Sequence, residues 1–487
     1  MAAPPMNGHW SLRIPADLMG QLEAHLFPGD GDEHGAVIGA AVVTTERGTR
    51  LLARRLILAR DGTDYVPGQR GYRMLTPSFV RDSVLACADE GLAYLAIHCH
   101  GGADQATFSG ADLASHERGY PALLDIIDGP PVGGLVFARN AVAGDIWLPD
   151  RSRVPLDDAE VVGRPIRRLL PAPAPRPSFT DERYDRQARV FGDRGQDLLV
   201  RQKVGVIGAG GAGSLVVEYL ARLGVGEFIV IDPDRIEPSN LPRVVGSLWK
   251  DLRPFLTHPR MPDLIKTLGR NRRTFKVDIA KRVALQAQPS VRYVGIPSDV
   301  TEEAVAVQLV DCDYLILAAD TMQARLLFNA LVHQYLIPGV QLGAKAQINP
   351  ATGEIIDVFS VVRPIVPGEG CLWCNGLISP AKLQEEATAP DQLRRQRYIE
   401  EEDLPAPSVI TLNAVGAAHA VNDYLMGLMG LLGSKDLRWV KFFPREGEMA
   451  IEVPRQDPNC PECSSRGRRG AGHLRPLPIR QGKAHTP

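Results

Sequence analysis

Residues 204–243 read VGVIGAGGAGSLVVEYLARLGVGEFIVIDPDRIEPSNLPR, and this stretch decides the fold. Val204–Ile207 is an apolar run bounded by glycines, the pattern of a buried strand. Gly208, Gly210 and Gly213 follow as G-x-G-x-x-G, and apolar spacing from Ala212 to Leu223 predicts a helix. A second apolar run, Phe228–Ile231, ends at Asp232. This is a βαβ nucleotide-binding unit. Glycines permit a tight turn and close approach of phosphate, and a helix N-terminus offers N–H donors with about half a positive charge. An acid closing the second strand can take a ribose hydroxyl. Alone, these features fit a nicotinamide or flavin dehydrogenase.

The residues that follow favour other chemistry. Asp232-Pro-Asp234 leads into Ser239-Asn240-Leu241-Pro242-Arg243, which sets an amide and a guanidinium just past the acid. Hydride transfer has no particular need of that cluster, whereas release of pyrophosphate from a triphosphate needs fixed donors on the leaving group. The combination resembles the ubiquitin-activating (E1-like) superfamily of adenylating enzymes, the group containing the ThiF and MoeB proteins, over roughly residues 179–465. That resemblance implies binding of ATP and Mg2+ through Gly208, Gly210, Gly213, Asp232, Asp234, Asn240 and Arg243. It also implies a phosphate role for Arg186, in Arg183-Tyr-Asp-Arg186-Gln187, often on the ATP of a partner subunit, and hence a homodimer. A lysine is expected at the start of the next helix. Lys276 suits the local pattern and Lys266 is its rival, because 244–275 is longer here than in smaller family members. A strand at Val291–Ile296, a helix at Glu302–Leu309 and an apolar strand at Tyr314–Ala319 follow. The last ends at Asp320, where an acid faces the ligand crevice of an open α/β sheet. The family uses the matching aspartate for magnesium or for the adenylating centre.

At 487 residues the chain has room for two or three domains. Its 44% hydrophobic and 23% charged residues are ordinary for a globular protein, and a formal charge of -2 gives no global attraction to nucleic acid or membrane. The most apolar stretch, Ala414–Leu432, is interrupted by His419, Asn422 and Asp423, so a buried helix is expected rather than a membrane span. No signal-peptide pattern is present. Seven cysteines, four of them in two C-x-x-C pairs, suit metal binding in a reducing compartment, with the cytoplasm as the expected location.

Residues 1–150 read as an α+β unit, with an amphipathic stretch at Pro15–His25 and strands at Ala36–Val43 and Arg50–Leu58. Thr76-Pro77 opens a helix that Gly91 closes, and Leu92–His100 is an apolar strand ending in His98-Cys99-His100. Strand side chains alternate, so the two histidines face the same way. Ser109-x-x-Asp112 lies just beyond. Two imidazoles and a carboxylate make a three-ligand zinc set with a position left for water, whose pKa zinc lowers from about 15.7 to about 7. Ser109-x-x-Asp112 is also a helix capping box in its acidic variant. The whole string resembles the JAB/MPN (JAMM) metalloprotease signature of enzymes that cut isopeptide or peptide bonds after ubiquitin-like tails. The resemblance implies His98, His100 and Asp112 as zinc ligands, Ser109 as support for an oxyanion and Glu33 as general base, with Asp32 the rival by spacing. The string departs from the family in having eight residues rather than seven between His100 and Ser109, and Gly101 where proline is usual.

Residues 151–178 are rich in proline and arginine and read as a linker, with Arg167-Arg168 as solvated charge. Cys371-Leu-Trp-Cys374 and Cys460-Pro-Glu-Cys463 suit a closed four-thiolate structural zinc site. Residues 375–405 match the place of the family's crossover loop, and 466–487 read as a disordered basic tail. The expected architecture is α/β, an N-terminal α+β JAB/MPN domain followed by a Rossmann-like adenylation domain. The resemblances imply a bacterial-type ubiquitin-like modifier system, with adenylation of the modifier's C-terminus and zinc-dependent processing of its tail. Partners would be a ubiquitin-like or sulfur-carrier protein and an E2-like protein. No cysteine lies between 375 and 459, so the reaction would stop at the adenylate or use an oxygen nucleophile near Ser408. Sulfur-carrier activation for cofactor or cysteine synthesis, a non-catalytic MPN scaffold and an NAD-dependent oxidoreductase remain alternatives.

Overall fold

The computed structural model describes residues 8–68, 71, 73–175, 181–349, 352–387, 407–433 and 437–480. Two units divide the chain. The first is Met1–Pro175 with His333–Leu336 and Pro458–Pro476, and the second is Arg176–Val332, Ile337–Asp457 and Leu477–Pro487. Among the described residues, no helix is long and apolar enough to cross a membrane.

Nine strands build the sheet of the first unit: β1 (Trp10–Pro15), β2 (Gly35–Thr45), β3 (Gly48–Leu58), β4 (Ala93–Cys99), β5 (Val132–Phe137), β6 (Val142–Trp147), β7 (Arg153–Leu156), β8 (Asp158–Val162) and β9 (Arg167–Leu169). Their order is β7-β6-β5-β4-β2-β3-β1-β8-β9. The expected hairpin is β2–β3. Its turn needs a glycine, because Gly48 has φ +134° and a side chain there would start 2.1 Å from the His9 carbonyl oxygen. Leu12, Ile14, Ile38, Leu51, Leu95 and Leu135 are buried between the sheet and its cover, which includes the helix Ala16–Leu26. β4 is central, so His98 sits in register with Gly35 on one side and Val136 on the other.

Two expectations fail here. The supposed linker carries three strands: β7, β8 and β9 lie within 151–178, with Pro155 on the edge strand β7, where a missing N–H costs no ladder bond. Arg167 and Arg168 are paired rather than merely solvated, with Glu23 at 2.6 Å and with Asp158. The supposed disordered tail is also ordered as far as residue 480. Gly472–Leu474 is a short 3-10 helix, and Arg469 donates to Asp17 at 2.6 Å. A run of arginine and glycine reads as disorder until its specific carboxylate and carbonyl partners are known. Residues 481–487 lie outside the described ones.

The second sheet has eight strands: β10 (Lys203–Ile207), β11 (Glu227–Ile231), β12 (Arg292–Ile296), β13 (Tyr314–Leu317), β14 (Gly339–Ile348), β15 (Ile355–Ile365), β16 (Trp439–Phe443) and β17 (Glu448–Glu452). Their order is β12-β11-β10-β13-β14-β15-β16-β17. The first five in that row are parallel and the rest antiparallel. The order reverses between β10 and β13, which is the switch point where an open α/β sheet binds ligands. The helix Gly211–Leu223 packs on β10, and the helix Ile410–Leu428 packs on that helix, β14 and β15; Val216, Val217, Leu220, Ala417, Ala420 and Tyr424 share one buried core. The expected helix Glu302–Leu309 is one turn, Glu303–Ala306, continuing as 3-10 helix to Asp311. A helix, Pro380–Ala387, occupies part of the expected crossover segment, and 388–406 lies outside the described residues.

The third glycine of the fingerprint is a packing residue. A side chain on Gly213 would start 1.8 Å from the Gly208 carbonyl oxygen, whereas one on Gly210 would meet nothing within 4 Å. Gly213→Ala should therefore cost about 1–3 kcal/mol by overpacking. Gly210→Ala should cost less than about 1 kcal/mol, and chemical denaturation of the two variants checks the contrast.

Candidate functional site

The second unit gathers its polar groups at the N-terminus of the helix Gly211–Leu223. Gly208 leaves β10 with φ +96°, and Gly210 caps the helix. Asp232, at the end of β11, is buried and accepts from the Ala209 amide at 2.7 Å and the Asp234 amide at 2.9 Å. One carboxylate thus fixes both the glycine turn and the loop after β11. Burial raises the pKa of Asp232, and the nearby Lys276 ammonium opposes that rise. Lys276 opens the helix Lys276–Ala287 and donates to Asp234 at 2.7 Å, with Asp232 at 3.8 Å. Lys266 instead pairs with Asp263 of its own helix at 3.2 Å. Of the two candidate lysines, Lys276 is the one joined to the aspartates of this site.

Asn240 is buried and structural: its side-chain oxygen accepts from the Glu237 amide at 3.1 Å and so shapes the turn that presents Arg243. Arg243 is half-buried, and the built Cβ position of Gly211 is 3.5 Å from its Cδ. The same position on Gly211 is 2.4 Å from the Asn413 amide nitrogen. Asn413 was missed by sequence reasoning as a site residue. Its signal was an amide in the first turn of the apolar helix Ile410–Leu428, and it also donates to Ser408 Oγ at 3.1 Å. Asp320 is exposed, three residues beyond the end of β13 at Leu317. Close by, Glu386 accepts from the Met322 and Gln323 amides at 2.8 and 2.9 Å, an N-terminal cap that the sequence did not reveal.

Arg186 is not brought to this cluster. It is exposed, and its neighbour Gln187 donates to the Leu223 carbonyl at 2.8 Å, at the C-terminal end of the glycine-loop helix. The helix Gly211–Leu223 separates that end from the loop by about 20 Å, at about 1.5 Å per residue.

In the first unit, His98 is the next-to-last residue of β4 and His100 lies just past its end, their rings 4.8 Å apart. The ligand atoms of His98, His100 and Asp112 lie within 4.8 Å of one another. Asp112 Oδ2 is 3.6 Å from Nε2 of each histidine. His100 Nδ1 is 3.0 Å from the Thr107 carbonyl oxygen, a contact that puts its proton on Nδ1 and turns the Nε2 lone pair toward the cluster. His98 Nε2 is buried and has no hydrogen-bond partner among the described residues. An orphaned imidazole nitrogen facing a second nitrogen and a carboxylate fits a divalent metal such as zinc. Capping and clustering coexist: Asp112 Oδ2 also accepts from the Ser109 amide and hydroxyl, each at 2.7 Å, and Ser109 Oγ accepts from the Asp112 amide at 3.2 Å. Burial opposes ionisation of Asp112, yet His98 and the Ser109 donors hold its carboxyl below the usual carboxylate range. Glu33 Oε1 is 3.9 Å from His100 Nε2, while Asp32 accepts from the Gly71 amide at 2.9 Å.

Cys371 and Cys374, in the second unit, and Cys460 and Cys463, in the first, are all buried. The other three cysteines are buried as well, and burial pushes the Cys87 thiol up to about 12.

Parallel strands with a glycine turn, a buried acid and two cations gathered near one helix N-terminus are the framework of nucleotide-binding α/β domains. Residues 184–421 match the model of the ThiF family, which supports a ThiF-type, E1-like domain in the second unit. The SAMP-activating enzyme E1 of Haloferax volcanii is 27% identical over 212 residues, 43% of this chain and 66% of that protein. The sulfur carrier protein ThiS adenylyltransferase of Bacillus subtilis is 28% identical over 219 residues, 42% of this chain and 56% of that protein. The chain thus spans less than two thirds of the length of these curated relatives. Among solved structures, E. coli MccB with MccA-N7isoASN aligns with a TM-score of 0.43 and 18% identity, over 58% of this chain and 76% of that chain.

If Lys276 rather than Lys266 meets the phosphates, Lys276→Met weakens ATP binding at least about tenfold, the loss of one charge-assisted hydrogen bond. Lys266→Met leaves it within about twofold. Isothermal titration calorimetry separates the two.

Proposed function

We propose that the second unit adenylates the C-terminal carboxylate of a small ubiquitin-like or sulfur-carrier protein, using ATP and Mg2+. The observation that supports this reading most is the meeting of Arg243, Asn413 and the Asp232–Lys276–Asp234 cluster at the N-terminus of the glycine-loop helix. In the reaction, a carboxylate oxygen of the tail attacks the α-phosphorus, and the bond to pyrophosphate breaks. Arg243 and Lys276 hold charge as it moves onto the leaving group, and the helix N-terminus adds fixed donors. Asp320 would hold Mg2+ beside the phosphates. Little covalent chemistry falls to the protein, so positioning carries the rate. The relatives favour a ubiquitin-like and a sulfur-carrier substrate about equally. Burial of all seven cysteines is consistent with a product that leaves as the adenylate or passes to an oxygen acceptor. The place of Arg186, a helix length from its own glycine loop, suits service to the ATP of a second copy.

The first unit, on this reading, processes the same tail. His98, His100 and Asp112 would hold zinc, with Ser109 fixing the Asp112 carboxylate and Glu33 standing beside His100 to take a proton from water. Bound zinc supplies a water that ionises near neutral pH. An E2-like protein would complete a conjugation route, whereas sulfur transfer needs none.

Labelled pyrophosphate should exchange into ATP only when a Gly-Gly-ending carrier protein is present, and Asp320→Ala should slow that exchange at least about 100-fold, the scale of losing a key electrostatic group. Mixing inactive Arg186→Ala and Asp320→Ala chains should restore part of it. Exchange that needs no carrier, or that ignores Asp320, sinks the reading. Zinc is checked separately: metal analysis of His98→Ala should find one equivalent fewer than in the parent chain, with the thiolate site still filled.

A further inference from the structure

The helix Gly110–Ile127 carries Asp112 in its first turn, and its buried face continues one turn later with a second polar residue, His116. His116 is 6% exposed, and it is not among the groups whose ligand atoms converge on the proposed zinc. Its Nδ1 is 2.8 Å from Asp145 Oδ2, on β6. Asp145 also accepts from Trp147 Nε1 at 3.1 Å and from Arg153 Nε and Nη2 at 3.0 and 2.9 Å. Burial opposes ionisation of Asp145, yet the His116, Arg153 and Trp147 donors bring its pKa down to about 2, so the carboxylate is charged and the facing Nδ1 carries a proton. The imidazole is fitted as well as bonded. It stacks on Tyr120 with centroids 4.4 Å apart, and it lies over Gly134 of β5, where a built Cβ would be 2.6 Å from its Cε1. Phe108 packs against both His116 and His98, with ring centroids 5.1 and 6.1 Å away.

β4 and β5 are parallel, with His98 opposite Val136 and Ala96 opposite Gly134. From Asp112 to His116 the helix rises about 6 Å, at about 1.5 Å per residue. Two residues of strand cover about 6.6 Å, at about 3.3 Å per residue. The helix thus runs back along the sheet in step with it: Asp112 stands at His98, and His116 stands at the level of Ala96 and Gly134. A slide of one residue would move the Asp112 carboxylate by about 1.5 Å, against a tolerance of about 0.2 Å in metal–ligand distances. The Ser109 cap does not prevent a slide, because Ser109 and Asp112 belong to one short stretch and move together. We propose that His116 is a positioning residue for the zinc site: through its bond to Asp145 and its seat over Gly134, it sets the height at which the helix presents Asp112 to His98 and His100. The inference rests on the zinc reading of the first unit and adds to it the group that keeps the carboxylate ligand in register. Arg153 also donates to Glu117 at 3.3 Å, so the anchor around Asp145 grips two neighbouring positions of the helix.

The test uses the full chain and zinc alone, with His98→Ala as the background from which the site's own zinc is distinguished. Chelator competition should show His116→Leu binding this zinc at least about tenfold more weakly than the parent chain, the scale on which loss of a ligand's support acts. His116→Asn places an amide nitrogen where Nδ1 stands, and it should recover the affinity to within about threefold, since the hydrogen bond is kept. Gly134→Ala leaves every polar partner in place and pushes the imidazole off its seat. It should weaken zinc binding as His116→Leu does, and it carries the test if His116→Leu does not fold. Cobalt gives a second readout: the visible spectrum of the His98-dependent ion should change in His116→Leu and Gly134→Ala and return in His116→Asn. Each variant is measured well below its own unfolding midpoint, so that lower stability alone moves neither readout. Unchanged zinc affinity and cobalt spectrum in the folded variants, or equal losses in His116→Leu and His116→Asn, overturn the proposal and leave the zinc site standing. If the parent chain holds no more zinc than His98→Ala, the zinc reading itself falls and this one with it.

Discussion

A single buried carboxylate holds the nucleotide site together. Asp232 takes the Ala209 amide with one oxygen and the Asp234 amide with the other, so the turn after β10 and the loop after β11 cannot move independently. Lys276 closes the arrangement from a third element. Placing such a carboxylate in the interior is costly, and its raised proton affinity records that cost. The amides and the ammonium offset it, and in doing so they fix the shape of the glycine turn. Preorganisation of this kind suits a reaction in which the protein contributes geometry and charge rather than a nucleophile.

The first unit uses a comparable economy at Asp112. One carboxylate oxygen caps a helix through Ser109 and also faces two imidazole nitrogens. Sequence patterns present capping and metal binding as rival explanations of Ser109-x-x-Asp112. Physically they cooperate, because a capped aspartate has lost the rotamer freedom that an incoming cation would otherwise have to remove. The same logic applies to His100, whose Nδ1 contact with a carbonyl settles its tautomer.

Local chemistry was legible in the sequence to the extent that it was contiguous. The glycine turn, the acid after β11 and the paired histidines are read from spacing, and each depends on the period of one strand or one turn. Asn413 and Glu386 escaped because their roles arise from elements more than 60 residues away in the chain, where no spacing rule reaches. The errors at 151–178 and 466–480 share a cause. Proline and arginine suggested solvated coil, but edge strands tolerate proline, and guanidinium groups can be consumed by specific carboxylates and carbonyls. Composition describes what a segment would do alone, and these segments are not alone.

The unit that begins the chain is completed by residues near its end. Gly472 lies against Val43 and Leu52, Arg54 donates to the Arg469 carbonyl at 2.8 Å, and Gly470 comes close to the Ala53 carbonyl. During translation, the sheet of β1 to β9 leaves the ribosome long before the piece that covers part of β2 and β3 exists. The nascent unit must therefore wait, with that patch open, until residues 458–476 have been made. Cutting the gene after residue 175 would not release a finished module, and a stop codon before 458 would damage the unit that begins the chain.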